Sequence, residues 1–159
     1  MKIRPGLTHL IVFAGILVLP AAIAGAQDSH PDVDKSISNN VGDPAKFQAV
    51  FTGLKQAVQQ HDASSVAALV SYPITINPRT KQAISVRTSQ TFIARYDQIV
   101  TPHIADVIEK QKYEDLFVND QGAMLGSGEV WIAGICKDKA CKQVDIKVRT
   151  IQNTAGKSK

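Results

Sequence analysis

Residues 122–152 read GAMLGSGEVWIAGICKDKACKQVDIKVRTIQ, and this stretch decides the fold class. From Val144 to Arg149 apolar and charged residues alternate, with Val144, Ile146 and Val148 set against Asp145, Lys147 and Arg149. A period of two marks a strand with one wet face, the pattern of an antiparallel sheet. Ahead of it, residues 123–135 read as one long strand. Gly126 and Gly128 lie inside that strand, where glycine allows a bend. They open no helix, so a phosphate-binding loop is excluded. Counting by twos puts Trp131 on one face with Leu125, Ser127 and Glu129, and Val130 and Ile132 on the other with Met124. Cys136 and Cys141 are the chain's 2 cysteines and fall between the two strands. Their spacing is not that of a C-x2-C redox motif, and zinc needs further ligands that are not nearby. The expectation is a disulfide that clamps the hairpin.

Upstream, Leu116 and Val118 lead to a turn at Asn119-Asp120-Gln121-Gly122, and before that the period is helical. Asp43-Pro44 is a cap followed by proline at the first helical position. Phe47, Val50, Phe51, Leu54 and Val58 then form one apolar stripe of a long helix. Asp62 caps a short helix with Val66, Leu69 and Val70 inward, ended by Tyr72-Pro73. Strands over 74–77 and 82–87 flank a turn at Pro78-Arg79-Thr80. Thr88 or Ser89 caps a helix carrying Phe92, Ile93, Tyr96 and Ile99, and Thr101-Pro102 starts another with Ile104, Val107 and Ile108 on one side. Runs of helices and runs of strands, without alternating βα units, predict an α+β domain over residues 43–152.

The N-terminal segment gives an address. Lys2 and Arg4 precede an apolar run from Leu10 to Leu19, Pro20 breaks it, and Ala24-Gly25-Ala26 stands before Gln27. That order reads as a signal peptide over 1–26, cleaved after Ala26, and predicts a periplasmic protein. The apolar run is short of the ~20 residues that span a bilayer, so no stable membrane insertion after cleavage is expected. Residues 27–42 are polar and aperiodic and read as a flexible leader, with a polar tail over 153–159. Loss of Lys2 and Arg4 lowers the net charge from +4 to +2. So small a charge gives no argument for nucleic acid.

The Phe47/Phe51/Leu54 helix, the Phe92–Ile99 helix and the run from Gly122 to Ile132 resemble the nuclear transport factor 2-like superfamily. The likeness is to its small exported members of unassigned activity and spans nearly all of residues 43–152. It implies a cone-shaped domain, a curved antiparallel sheet wrapped around the long first helix. It also implies a possible homodimer, since open sheet faces in that superfamily commonly pair. One such fold hosts isomerases, dehydratases, carriers and interaction modules. Enzymes among them use an Asp or an Asp/His pair inside the cone. No residue here matches that pattern by motif, so no catalytic residue is carried over.

A cone selects its ligand with a few polar groups in an apolar pocket. Tyr96 shares a helix face with Phe92 and Ile99 and is expected inward, whereas Arg95 and Asp97 read as surface charges. Phe51, Tyr96 and Trp131 are the candidate ligand-binding residues, and core packing is the other reading of Trp131. Glu129 is a carboxylate inside an apolar strand. Facing the interior it would be a general base; facing solvent it is an exposed or ion-paired strand residue, which is the expectation. Asp28, His30, Asp32 and Asp34 alternate but lack the glycine and distal glutamate of a calcium loop, so no metal or cofactor is expected. His61 and His103 stand alone at helix ends. Lys137, Lys139, Lys142, Lys147 and Arg149 read as a solvated hairpin tip, with an anionic lipid or acidic partner as the alternative. The functional expectation is a non-catalytic exported module that binds a small apolar molecule or a protein partner. The alternative is a small isomerase- or dehydratase-like enzyme with a carboxylate inside the cone.

Overall fold

The computed structural model describes residues 30–78 and 80–153. The signal peptide expected over 1–26, the first residues of the leader and nearly all of the tail lie outside the described residues. Helix α1 (Pro31–Asn40) stands where the flexible leader was expected, which corrects that expectation. Pro31 presets the first turn, and Asp32 and Asp34 oppose the positive end of the helix. Val33, Ile37 and Val41 form a narrow apolar stripe that the polar composition hides, and Ile37 and Val41 are buried. The Tyr113 hydroxyl donates to Asp34 Oδ1 at 2.7 Å and ties α1 to the domain.

Helix α2 (Pro44–Gln59) follows, with the Asp43 carboxylate accepting the Lys46 N–H as its cap. Phe47, Phe51, Leu54, Ala57 and Val58 are its buried residues. Burying each large side chain of that stripe contributes about 1.5–3 kcal/mol. Asp62 caps α3 (Ala63–Ala68) through the Ser64 and Ser65 amides. Strands β1 (Ile74–Ile76) and β2 (Ile84–Val86) pair antiparallel with Thr75 opposite Ser85. The helix expected to carry Phe92 to Ile99 breaks at Arg95 into α4 (Ser89–Ala94), capped by Thr88, and α5 (Tyr96–Ile99). The break leaves Ile93 exposed while Phe92, Tyr96 and Ile99 go inward. Thr101 caps α6 (Pro102–Lys110), which buries Ile104 and Ile108.

The chain ends in a four-stranded antiparallel sheet of order β3 (Phe117–Asn119), β4 (Gly122–Leu125), β5 (Val130–Cys136), β6 (Val144–Ile151). The protein is therefore α+β, with helices and two antiparallel sheets. The single strand expected over 123–135 is two strands folded back on each other. One contiguous core joins Phe47, Leu54, Phe92 and Ile104 of the helices to Leu125, Ile132 and Val148 of the sheet. The far edge of β6 is covered by the chain after α3: Ser71 N–H donates to the Val148 carbonyl at 2.9 Å, and Asn77 N–H to the Ile151 carbonyl at 3.1 Å. Cys136 and Cys141 form a disulfide.

Candidate functional site

The turn between β4 and β5 sets the two faces of the sheet. Gly126 (φ +66°) and Gly128 (φ +107°) take backbone conformations that L side chains rarely adopt. The chain reverses over Gly126–Glu129, so Leu125 pairs with Val130, Met124 with Trp131 and Ala123 with Ile132. Directly paired residues of an antiparallel ladder share a face. Leu125, Val130 and Ile132 are thus buried together on the helical side, and Met124 and Trp131 stand together on the other, both half-buried. Both expected groupings are corrected here: Trp131 does not share a face with Leu125, nor Met124 with Val130 and Ile132.

Of the two expectations for Glu129, solvent or an ion pair, the structure shows the second, with the residue only 5% exposed. Its Oε2 accepts the Ser127 N–H at 2.6 Å, and its Oε1 lies 3.5 Å from His103 Nε2 at the start of α6. A carboxylate that takes an N–H of its own turn and meets an imidazole is first a lock on that turn. The Gly126 N–H is taken by Gln111 Oε1 at 2.9 Å, which ties the turn to the end of α6. His103 is therefore not alone, and sequence separation hid the contact.

The face away from the core carries a cross-strand row. Phe117 pairs with Met124, Met124 with Trp131 and Trp131 with Thr150, so the row crosses all four strands from β3 to β6. Phe117 is 54% exposed. At the β6 end the ladder slips: Trp131 pairs with Thr150 and Ile132 with Val148, leaving Arg149 as the extra residue of a β-bulge. A cavity of about 250 Å³ opens there, lined by Gln121, Trp131, Arg149 and Thr150. A larger groove between α2 and α3, about 460 Å³, is lined by Gly53, Gln56, Gln60 and Leu69 among others and offers no aromatic or charged side chain.

The three candidate ligand-binding residues do not meet in one pocket. Phe51 is packed against Phe47 and Tyr113 at ring-centroid distances of 6.4 and 5.6 Å. Tyr96 is packed against Phe92 and the His61 ring, and its buried hydroxyl has no hydrogen-bond partner among the described residues. Burial first, then the charges of Asp97, Asp62 and Glu109, raises the Tyr96 phenol above its ordinary range. Both residues belong to the core on the helical side, whereas Trp131 stands on the opposite face. Arg95 and Asp97 are exposed, as expected, with Asp97 Oδ1 3.1 Å from His61 Nε2. Within the lysine-rich hairpin, Lys147 Nζ donates to the Ala68 carbonyl at 2.8 Å and Lys137 lies 3.7 Å from Asp145. No helix among the described residues is long and apolar enough to cross a membrane. Comparison with family models, with curated proteins and with solved structures finds no match to this chain.

Proposed function

We propose that the protein is a non-catalytic binding module that holds a small, largely apolar molecule on the outer face of its four-stranded sheet. The observation that carries this is the row Phe117–Met124–Trp131, three large apolar side chains paired directly across strands on the side away from the core. The reading departs from a ligand pocket inside a cone, because Phe51 and Tyr96 already fill that interior as core residues. Export to the periplasm, with cleavage after Ala26, belongs to the proposal, and the Cys136–Cys141 disulfide suits that oxidising compartment. So does a cone-like curvature of the sheet over α2, as in the nuclear transport factor 2-like superfamily. A bulge that bends β6 supports it.

The test uses the neutral dye Nile red, whose emission rises in apolar surroundings. The protein is expected to brighten the dye, and Phe117→Ser or Trp131→Ala to weaken its binding about tenfold, or ~1.4 kcal/mol. Phe117 is exposed, so its replacement leaves the fold intact. Dye that stays dark, or that binds Phe117→Ser and Trp131→Ala as tightly as the unaltered protein, overturns the proposal. Pairing of two copies through this face would hide the row and make dye binding fall as protein concentration rises.

A second reading, an isomerase- or dehydratase-like enzyme, has one observation in its favour: Glu129 is buried against His103. Any activity found in the purified protein that survives Glu129→Gln removes Glu129 as its base.

A further inference from the structure

We infer that the molecule this face holds is an amphipathic anion, with its carboxylate or phosphate at Arg149 and an elongated apolar body lying across the strands toward Phe117. The inference rests on the ligand-binding reading above and names the class of ligand.

The bulge supplies the first argument. Val148 and Ile151 are both buried, 1% and 2% exposed, with two residues between them instead of one. Arg149 and Thr150 are therefore consecutive residues of β6 set opposite the single Trp131 of β5. Without the extra residue, an arginine and a threonine could not both line the cavity beside the tryptophan, as they do. Bulges recur where a side chain is re-aimed at a ligand.

Charge supplies the second. Among the described residues the ion pairs engage His61, His103, Lys110 and Lys137, and none engages Arg149. An exposed guanidinium with no carboxylate beside it keeps its planar fork available to an oxyanion, carboxylate and phosphate alike. The Gln121 amide and the Thr150 hydroxyl line the same cavity and supply further donors.

The row sets the shape. Its polar end is on β6 and its apolar end is Phe117 on β3, three strand spacings away. At ~4.8 Å per spacing this is roughly 14 Å. A compact anion would use only the polar end, and a neutral hydrocarbon only the other. A single-chain amphiphile with an anionic head uses both.

The test compares octanoate, its neutral isostere octanamide, and octyl phosphate, read by the emission of Trp131, the chain's 1 tryptophan. Octanoate is expected to bind at least tenfold more tightly than octanamide. Arg149→Gln should abolish that preference, chiefly by weakening octanoate. Octyl phosphate tighter than octanoate supports the inference and identifies the head group as phosphate; the reverse order supports it with a carboxylate head. Equal affinity for octanoate and octanamide, or a preference that survives Arg149→Gln, overturns the anion inference. In those two cases the apolar face still binds, so the ligand-binding reading stands. No response to any of the three probes, with Nile red also dark, defeats both.

Discussion

At one end of β5 the chain turns through Gly126–Glu129, and at the other through Lys137–Gln143. Both turns leave amide N–H groups to be satisfied, and each answers with a carboxylate. Glu129 accepts from Ser127 through Oε2 and faces His103 through Oε1. Asp138 accepts from the amides of Ala140, Lys142 and Gln143 at 2.9, 3.2 and 3.0 Å. The surroundings differ. Glu129 is buried, whereas Asp138 is exposed and its loop is tied by the Cys136–Cys141 disulfide. The Glu129 side chain is shielded from water, so what holds this turn is its non-covalent contact with the Ser127 N–H and with His103. Where the loop is wet, water competes for every amide and the covalent tie does more. The same task is met by burial at one end and by a bond at the other.

The largest expected effect follows from the buried end. Glu129→Ala removes the acceptor of the Ser127 N–H and leaves a buried hole against His103, so unfolding in urea should show a loss of about 3 kcal/mol. Glu129→Gln should recover part of it, because the amide oxygen still accepts the Ser127 N–H. Gly126→Ala should act in the same direction, since its Cβ would come within 2.5 Å of Glu129 Oε2 and 2.7 Å of Val107 Cγ1 at a φ of +66°. If Glu129→Ala costs less than about 1 kcal/mol, burial is not what distinguishes the two turns.

The next effect belongs to the exposed end. Replacing both Cys136 and Cys141 by serine removes a tie across a sequence separation of 5. Chain entropy gives about 2 kcal/mol for so short a loop. Hydrogen exchange should show the opening confined to the facing ends of β5 and β6, with the Leu125–Val130 end still protected. Opening at both ends together would mean that the two turns are one cooperative unit.

How much of this was legible depends on which signal each element carries. The α2 helix announced itself twice, through the Asp43 cap and the Phe47–Val58 stripe, and both agree with the structure. The α1 helix was hidden because Val33, Ile37 and Val41 are one narrow stripe in a polar stretch, too little burial to outweigh composition until Tyr113 and Phe47 are there to pack with it. The first turn was missed by parity. Leu125 and Val130 are an odd number of residues apart, so counting along one strand assigns them to opposite faces, but a reversal brings them to the same one. Two glycines within three residues were the available sign of that reversal. The bulge also left a trace, since Val148 and Ile151 are three apart where the preceding apolar residues are two apart. The contact of Glu129 with His103 had no such trace, because it is made by packing α6 onto the sheet.

The smallest effect is the acid response, and it tests the exposed end once more. The Asp138 carboxyl is held below its ordinary range chiefly by the Lys142 amide, then by those of Gln143, Ala140 and Cys141. The Asp62 carboxyl is lowered to about 2, first by the Ser65 hydroxyl. A carboxyl whose pKa is depressed on folding adds stability above its unfolded pKa, and that stability is lost as pH falls through the folded value. Stability should therefore decline from about pH 4 toward pH 2. Asp138 is exposed and Asp62 only partly buried, so the decline should be slight and should weaken in salt. Asp138→Asn should flatten part of it in the oxidised protein, where the disulfide still holds the loop. In the protein with both cysteines replaced by serine, the carboxylate carries a larger share of the loop's order, beside the hydrogen bond from the Lys137 N–H to the Gln143 carbonyl. The same substitution should then lower the urea midpoint further than it does in the oxidised protein, a coupling that a double-mutant cycle reads directly. Strict additivity would show that bond and carboxylate act on the exposed turn independently.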